Sequence, residues 1–366
     1  MTTATEQILD LPFDVTPDPD EFIRAAMEWH FNPETGCAFW LERAKTLGFD
    51  PRADVRTHAD LRLFPNVAAE LREVRGEDLV PKGYGPRPDV VGFFESGGTT
   101  GTPKRVVLMR DWHERVVSWS NAHLDRHGVS RGINWLGIIP TGPHVVAALF
   151  HRHVNTHGTH GFTIDLDPRW VKKLIADQRF SDADAYAGHI IAQAVDVLRT
   201  QDIGLLTITP PLLERIAADD ALVDLVNSQV KAIRWGGTQM DPDSRNLFKN
   251  EIFPDTALCG EYGSTMMLGV AGERAGLESG APCVFDPFSP YITFTVVDAK
   301  TGEPVPEGQR GQVVVNHVSK SFLLPNNLER DLATRMAPVE GTVGHAVADI
   351  APVATFEDEA VIEGVY

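Results

Sequence analysis

An α/β core built on a mostly parallel sheet with helices on both faces, continued by a small β-rich subdomain, is the fold that this sequence predicts. Two observations carry it. "INWLGIIP", "TITPP", "KAIRWGG" and "DTALCGEYG" are short apolar runs ending in Gly or Pro, with helical stretches such as "DADAYAGHIIAQAVDVLRTQ" and "PPLLERIAADDALVDLVNSQ" between them. Strands alternating with helices imply crossovers, and crossovers imply parallel pairing buried on both sides. From about Pro290, "YITFTVVDAKTGEPVPEGQRGQVVVNHVSK" reads instead as a hairpin followed by another strand. The chain therefore divides into residues 1–289, a helix-rich start and α/β core, and residues 290–366, the β-rich part.

The elements follow in order. In the first eighty residues "DEFIRAAMEWHFN", "CAFWLERAKTLG" and "ADLRLFPNVAAELREV" place apolar residues at intervals of three and four, the spacing of a helix with one buried face. Next, "DVVGFF" and "RVVLMR" read as short strands on either side of a Gly/Thr-rich loop. In "DWHERVVSWSNAHLDRHG", Asp111 is placed to cap a helix that ends at Gly128. The last stretch, "HAVADIAPVATFEDEAVIEGVY", ends in what reads as a further strand, and no internal repeat or low-complexity linker interrupts the chain.

With 366 residues, 43% apolar and 23% charged, the composition is that of an ordinary globular protein. A formal net charge of −18 opposes nucleic acid as the main partner, because affinity for a polyanion rests on many Lys and Arg contacts. No apolar run approaches the roughly eighteen residues of a membrane span, and the start has no basic region followed by an apolar one, so the expected location is cytoplasmic, away from membranes. Cys37, Cys259 and Cys283 form no C-x-x-C pair. A metal site from Cys259, Cys283 and a histidine, or from the histidines between His144 and His160, is weaker than the reading of buried thiols and a histidine-rich helix and loop: no acidic residue lies among those histidines.

"FFESGGTTGTPKRVVL", residues 93–108, is the most informative stretch. Glycines free the backbone so that its N–H groups converge on one point, and the hydroxyls and terminal lysine suit an anion. Neither G-x-x-x-x-G-K-[ST] nor G-x-G-x-x-G fits, and the loop joins strand to strand, so it reads as a flap over phosphates of another kind. By itself it could also be a mobile hairpin, the weaker of the two readings.

Three further stretches decide between these. "SGGTTGTPK" (Ser96–Lys104) resembles the phosphate loop of the adenylate-forming superfamily, which includes acyl-CoA synthetases, amino-acid adenylation domains and luciferase. "IRWGGTQM" (Ile233–Met240) is similar to the strand end that lies against adenine in that family, "GEYGSTMM" (Gly260–Met267) to its Y-G-x-T-E motif, and "GHAVADIAPV" to the segment whose aspartate holds the ribose. The four motifs stand in family order over about residues 60–366, nearest to the phenylacetate-CoA ligase branch and to shortened adenylating proteins of phenazine antibiotic pathways.

The resemblance implies the large N-terminal domain of that fold and ATP-dependent formation of an acyl-AMP with release of pyrophosphate. It assigns Ser96, Gly97, Gly98, Thr99, Thr100, Gly101 and Lys104 to the triphosphate, with Thr265 donating to the α-phosphate and, with Lys104, forming the catalytic pair. Gly236, Gly237 and Thr238 would lie on one side of adenine and Tyr262 on the other, Glu261 near the adenine amino group, and Asp349 on the ribose. His144, Gly263 and Ser264 would line the acid. Taken singly, Tyr262 would be an ordinary aromatic, Asp349 a turn residue and His144 a helix-end histidine.

Two departures qualify the family pattern. Met266 stands where the family has a Mg²⁺-holding Glu, and a thioether is a poor ligand for a hard cation. Mg²⁺ is therefore expected to be held by phosphates, water or another carboxylate, and no protein metal ligand is assigned. "VIEGVY" stops at the family's hinge, so the C-terminal lid with its catalytic lysine is expected to be absent. The expected substrate is an aromatic carboxylic acid, a phenazine carboxylate by resemblance, with the acyl-adenylate passed to a downstream reductase or transferase in antibiotic biosynthesis; a homodimer is allowed. The alternatives are an aryl-CoA ligase that borrows a lid in trans and a non-catalytic nucleotide-binding protein.

Overall fold

The computed structural model describes residues 4–12, 14–97, 102–278, 280–353, 355, 356, 359 and 360. Its start is helical: α1 (Ala4–Leu9), α2 (Pro19–Phe31), α3 (Ala38–Arg43) and α4 (Pro51–Asp54). Asp18 caps α2 by accepting from the N–H groups of Asp20 and Glu21 at 3.1 and 2.9 Å, with Pro19 at the first position where its missing N–H costs nothing. The third expected helix is instead a pair of 3₁₀ segments, His58–Leu63 and Glu70–Arg72. Pro65 is the reason: it forces the preceding Phe64 into an extended conformation, ψ 141°.

β1 (Val90–Glu95) and β2 (Arg105–Met109) pair antiparallel around the loop, as the flanking apolar runs predict. The helix after them, α5 (Arg110–Arg126), begins one residue before the expected cap. Asp111 sits inside its first turn, accepting from the Trp112 N–H at 2.8 Å and from the Tyr84 hydroxyl. Gly128 follows the helix end with φ 73°, a conformation that glycine adopts without strain.

β3 (Trp135–Ile139), α6 (Val145–His157), β4 (Gly161–Asp165), α7 (Pro168–Ala176), α8 (Phe180–Thr200), β5 (Leu205–Ile208), α9 (Pro210–Ala217), α10 (Asp220–Gln229), β6 (Ala232–Gly236), α11 (Pro242–Leu247) and β7 (Ala257–Ser264) alternate as expected. β7, β6, β5, β3 and β4 lie side by side in parallel. Their near-continuous apolar character reflects burial on both faces, all five residues of β3 being buried.

The sheet as a whole is mixed rather than mostly parallel. After β7 the chain turns back within Thr265–Met267, too short for a crossover, so β8 (Gly269–Glu273) must pair antiparallel. β9 (Phe285–Asp286), β10 (Ile292–Val297), β11 (Arg310–Val318), β12 (Leu323–Met336) and β13 (Ala346–Pro352) extend it in the order β10-β11-β12-β13-β9-β8, eleven strands in all with the parallel half. β12, the longest strand, carries polar residues in its middle that face the site described next.

Candidate functional site

In a sheet with crossover helices, the carboxyl ends of the parallel strands are left open and the turns that leave them form a crevice. Here β3, β5, β6 and β7 end at Ile139, Ile208, Gly236 and Ser264, and all four residues or their successors line one of two adjoining cavities. The first, about 350 Å³, is bounded by Gly237, Thr238, Tyr262, Asp331 and Asp349. The second, about 310 Å³, is bounded by Ser96, Gly97, Lys104, His144, Lys172 and Thr265. They meet along Gly237, Glu261, Gly263, Ser264, Glu329 and Arg330, which line both. Each described residue that the resemblance assigns to ATP or the acid thus borders one cavity or the other; Gly98, Thr99, Thr100 and Gly101 lie outside the described residues.

The loop closes at its neck. The Lys104 N–H donates to Ser96 Oγ at 3.0 Å, and the Ser96 N–H donates to the Lys104 carbonyl at 2.9 Å. Ser96 therefore has a structural task, while its hydroxyl proton remains available to donate. Gly236 is required by strand packing: a Cβ there would stand 2.7 Å from the Glu261 carbonyl oxygen on β7. Gly237 next to it has φ 85° and turns the chain out of the strand.

Tyr262 lies edge-on to Phe285, and its hydroxyl donates to Asp331 Oδ2 at 2.9 Å. Ser264 Oγ donates to Glu329 Oε1 at 3.0 Å, as does Asn327 Nδ2 at 2.8 Å. Burial, then the charge of Asp331, pushes the Glu329 carboxyl up to about 7. Asp331 is raised by burial as well, and the Tyr262 phenol is held well above its ordinary value by burial and by both carboxylates. Glu261, expected near adenine, is bound to Arg234 at 2.6 Å, both side chains nearly buried. Asp349, at φ 50°, accepts from Thr334 Oγ1 at 2.9 Å, and its carbonyl accepts from Arg310.

Thr265 opens the 3₁₀ turn behind β7, and Met266 beside it is buried. His144 precedes α6 at the second cavity, its imidazole kept below its ordinary value first by burial and then by Arg169. Of the later histidines, His153 and His157 both turn to Asn121 Oδ1, at 2.6 and 3.1 Å, and pack on Trp135. Cys259 is a buried thiol pushed up to about 12, chiefly by burial.

Several wall residues had no part in the sequence reading. Asn327, Glu329 and Asp331 alternate along β12, and polar residues at every second position of a strand are the signal of a polar face. Lys172 sits one turn after Pro168 on the buried face of α7, so helical spacing alone would have put a lysine inside. Arg330 offers no comparable pattern.

No family model matches the chain. The D-alanine–D-alanyl carrier protein ligases of Listeria monocytogenes serotype 4b, strains F2365 and CLIP80459, are each 24% identical over 261 residues, 67% of this chain and 46% of theirs. The chain thus spans about half the length of the curated relatives it matches. Among solved structures, 2-hydroxyisobutyryl-CoA ligase in the postadenylation state, in complex with 2-HIB-AMP, superposes with a TM-score of 0.64 at 14% identity over 95% of this chain and 75% of its own. ATP-bound MatB from Rhodopseudomonas palustris gives 0.50 at 16% identity, over 72% and 48%. At these identities the likeness is one of fold: an α/β domain with a large mixed sheet flanked by helices.

Proposed function

We propose that the chain is an enzyme of the adenylate-forming superfamily that joins ATP to an aromatic carboxylic acid. A carboxylate oxygen attacks the α-phosphorus, the bond from that phosphorus to the β-phosphate oxygen breaks, and acyl-AMP and pyrophosphate result. The observation that carries this reading is the meeting of the two cavities along Gly237, Glu261, Gly263 and Ser264. A nucleoside in one and an acid in the other would bring the two reacting atoms to that seam.

In this reading Tyr262 and the Gly236–Thr238 backbone flank adenine, Asp349 binds the ribose, and Glu261 stands nearby. The loop from Ser96 to Lys104 covers the triphosphate, and Thr265 donates to the α-phosphate, where charge develops in the transition state. The buried hydroxyls of Thr207 and Thr209 at the second cavity, and of Thr238 at the first, find no partner among the described residues, as expected of donors kept for a polar ligand. The apolar wall of Ile138, Val145, Leu149, Phe150 and Ile208 suits a flat apolar acid next to His144, Gly263 and Ser264. A phenazine carboxylate rests on the resemblance alone.

The described residues do not make a dedicated Mg²⁺ site. Met266 is a thioether, Glu261 is held by Arg234, Asp331 by Tyr262, and Glu329 by Ser264 and Asn327. Mg²⁺ accordingly enters only as the counter-ion that ATP brings, held by phosphate oxygens and water. The acyl-adenylate is a mixed anhydride, so the reaction that consumes it is an acyl transfer or a reduction.

Exchange of labelled pyrophosphate into ATP, dependent on an acid from an aryl panel that includes phenazine-1-carboxylate, tests the proposal. Acid-dependent exchange is the expected result. ATP binding without exchange for any acid would replace the enzyme by a nucleotide-binding protein.

A further inference from the structure

Thr265 opens a turn whose backbone is held by two buried side chains from other elements. His317, on β11, is fully buried, and its Nδ1 lies 2.7 Å from the Met267 carbonyl oxygen. A carbonyl only accepts, so Nδ1 carries the proton and Nε2 accepts from Ser319 Oγ at 2.8 Å. Trp112, on α5, donates from Nε1 to the next carbonyl along, that of Leu268, at 2.8 Å, and its ring centroid lies 4.5 Å from that of the imidazole, edge-on. The turn's own bonds, from the Met267 N–H to Ser264 Oγ at 3.3 Å and from the Leu268 N–H to the Thr265 carbonyl at 3.2 Å, are longer than either of these.

The turn needs such a hold. Leu268 has φ 48° and ψ 33°, the left-handed region that a leucine occupies only where its surroundings fix it. Released, it would return toward an ordinary conformation and carry the turn with it, Thr265 included. The hold is itself anchored. Ser319 Oγ, the partner of His317 Nε2, accepts from the Phe322 N–H at 3.1 Å, and the Ser319 carbonyl accepts from His30 Nε2 on α2 at 2.7 Å. Trp29, the residue before His30, donates from Nε1 to the Lys320 carbonyl at 2.8 Å. The His317 imidazole is thus wedged between the helical start of the chain and the turn that brings Thr265 to the second cavity, while lining neither cavity itself. Burial pushes it down to about 3 and so keeps it neutral.

We propose that His317, together with Trp112, is a positioning residue for the adenylation step: by holding the Met267 and Leu268 carbonyls the two fix the turn, and with it the Thr265 hydroxyl, against the α-phosphate. This rests on the adenylation reading, in which Thr265 donates to that phosphate, and adds to it two residues that touch no substrate. A donor aimed at a developing charge is effective only when it is held in place beforehand, since a turn free to move must be ordered as the transition state forms. The pair accordingly acts on turnover more than on ATP affinity, and as a neutral donor His317 adds no ionisation to the pH profile.

The test is acid-dependent exchange of labelled pyrophosphate into ATP by the full chain and its variants, with whichever aryl acid gives the unsubstituted chain its fastest exchange. His317→Asn can place an amide N–H near the position of Nδ1 and serve Met267, whereas His317→Gln reaches the position of Nε2 and serves Ser319 alone. The Asn variant should keep kcat within about threefold, and the Gln variant should lower it about tenfold or more with KM for ATP within about twofold, the mark of a donor left in place but no longer aimed. Combined with Thr265→Val, His317→Gln should cost less than about twofold further, because the group it positions is gone. The pH profile of kcat should keep the parent's shape throughout. Equal kcat for the Asn and Gln variants, or the same loss from His317→Gln with and without Thr265→Val, would show the imidazole to be structural only and overturn the proposal while adenylation stands. Should the His317 variants fail to fold, Trp112→Phe, which keeps a ring beside the imidazole but no donor for Leu268, carries the same expectation of lowered kcat at unchanged KM, and an unchanged kcat there overturns the proposal. Absence of exchange by the unsubstituted chain with every acid would remove the adenylation reading and this inference together.

Discussion

Ser264 Oγ and Glu329 Oε1 are joined by a 3.0 Å hydrogen bond that ties the end of β7 to the middle of β12 at the seam between the two cavities. The bond holds a carboxyl that burial has pushed up to about 7. Folding therefore raises this group's affinity for its proton, and between about pH 4.5 and 7 the folded state binds more protons than the unfolded one. Stability must fall as pH rises through that window and level off above it. Glu329→Gln keeps the acceptor for Ser264 and Asn327 without the charge. Its urea-unfolding stability should match the parent near pH 4.5 and exceed it by up to about 3 kcal/mol at pH 8; equal stability at both pH values would show that the carboxyl is not perturbed.

Gly236 and Glu261 make the second contact with a definite consequence. Gly236→Ala puts a methyl group 2.7 Å from the Glu261 carbonyl oxygen, so β6 and β7 must separate. Overpacking of this kind costs about 1–3 kcal/mol, and the movement displaces the residues between the two cavities. A lowered midpoint in urea together with loss of ATP binding is expected. An unchanged midpoint would mean that the strands yield freely.

Arg234 and Glu261 are nearly buried, at 5% and 11% side-chain exposure, and bonded at 2.6 Å. Arg234→Met leaves an unpaired carboxylate and should destabilise the protein by about 3–5 kcal/mol, while the double change Arg234→Met with Glu261→Met should recover most of that loss. A double-mutant cycle in chemical denaturation measures the coupling. Additive losses would contradict a paired, desolvated arrangement.

Tyr262 has two separable parts. Its ring borders the first cavity, and its hydroxyl serves Asp331 at 2.9 Å. Tyr262→Phe should cost about 1–2 kcal/mol of stability, because a buried carboxyl loses a donor, yet leave ATP affinity within about twofold. Tyr262→Ala should weaken ATP about tenfold or more by removing the apolar face. Equal effects of the two substitutions on ATP affinity would exclude the stacking role.

Much of this was legible because local chemistry points to it. The apolar runs that end in Gly or Pro at Ile139, Gly236 and Gly263 mark strand ends, and strand ends of a parallel sheet are where a crevice opens. What stayed hidden depends on partners distant in sequence. No periodicity tells that β8 returns antiparallel and carries the sheet on through β13, and the helical spacing around Leu63 is overruled by Pro65. Glu329, Arg330 and Asp331 reach the seam only because β12 crosses the sheet beside β11 and β13, a neighbourhood that spacing within one strand does not reveal. Lys172 shows the opposite case: its helical face was readable, but a lysine is ordinarily assigned to solvent.

The most direct measurement is a crystal structure with a non-hydrolysable mimic of the aryl-adenylate, an arylsulfamoyl adenosine. The nucleoside should lie between Tyr262 and the Gly236–Thr238 backbone with its ribose at Asp349, and the aryl group should lie in the cavity lined by His144 and Lys172, with the sulfamoyl linkage at the Gly263–Ser264 seam. A mimic bound elsewhere, or one that fails to bind at concentrations where it occupies adenylating enzymes, would contradict the assignment of these two cavities to ATP and acid.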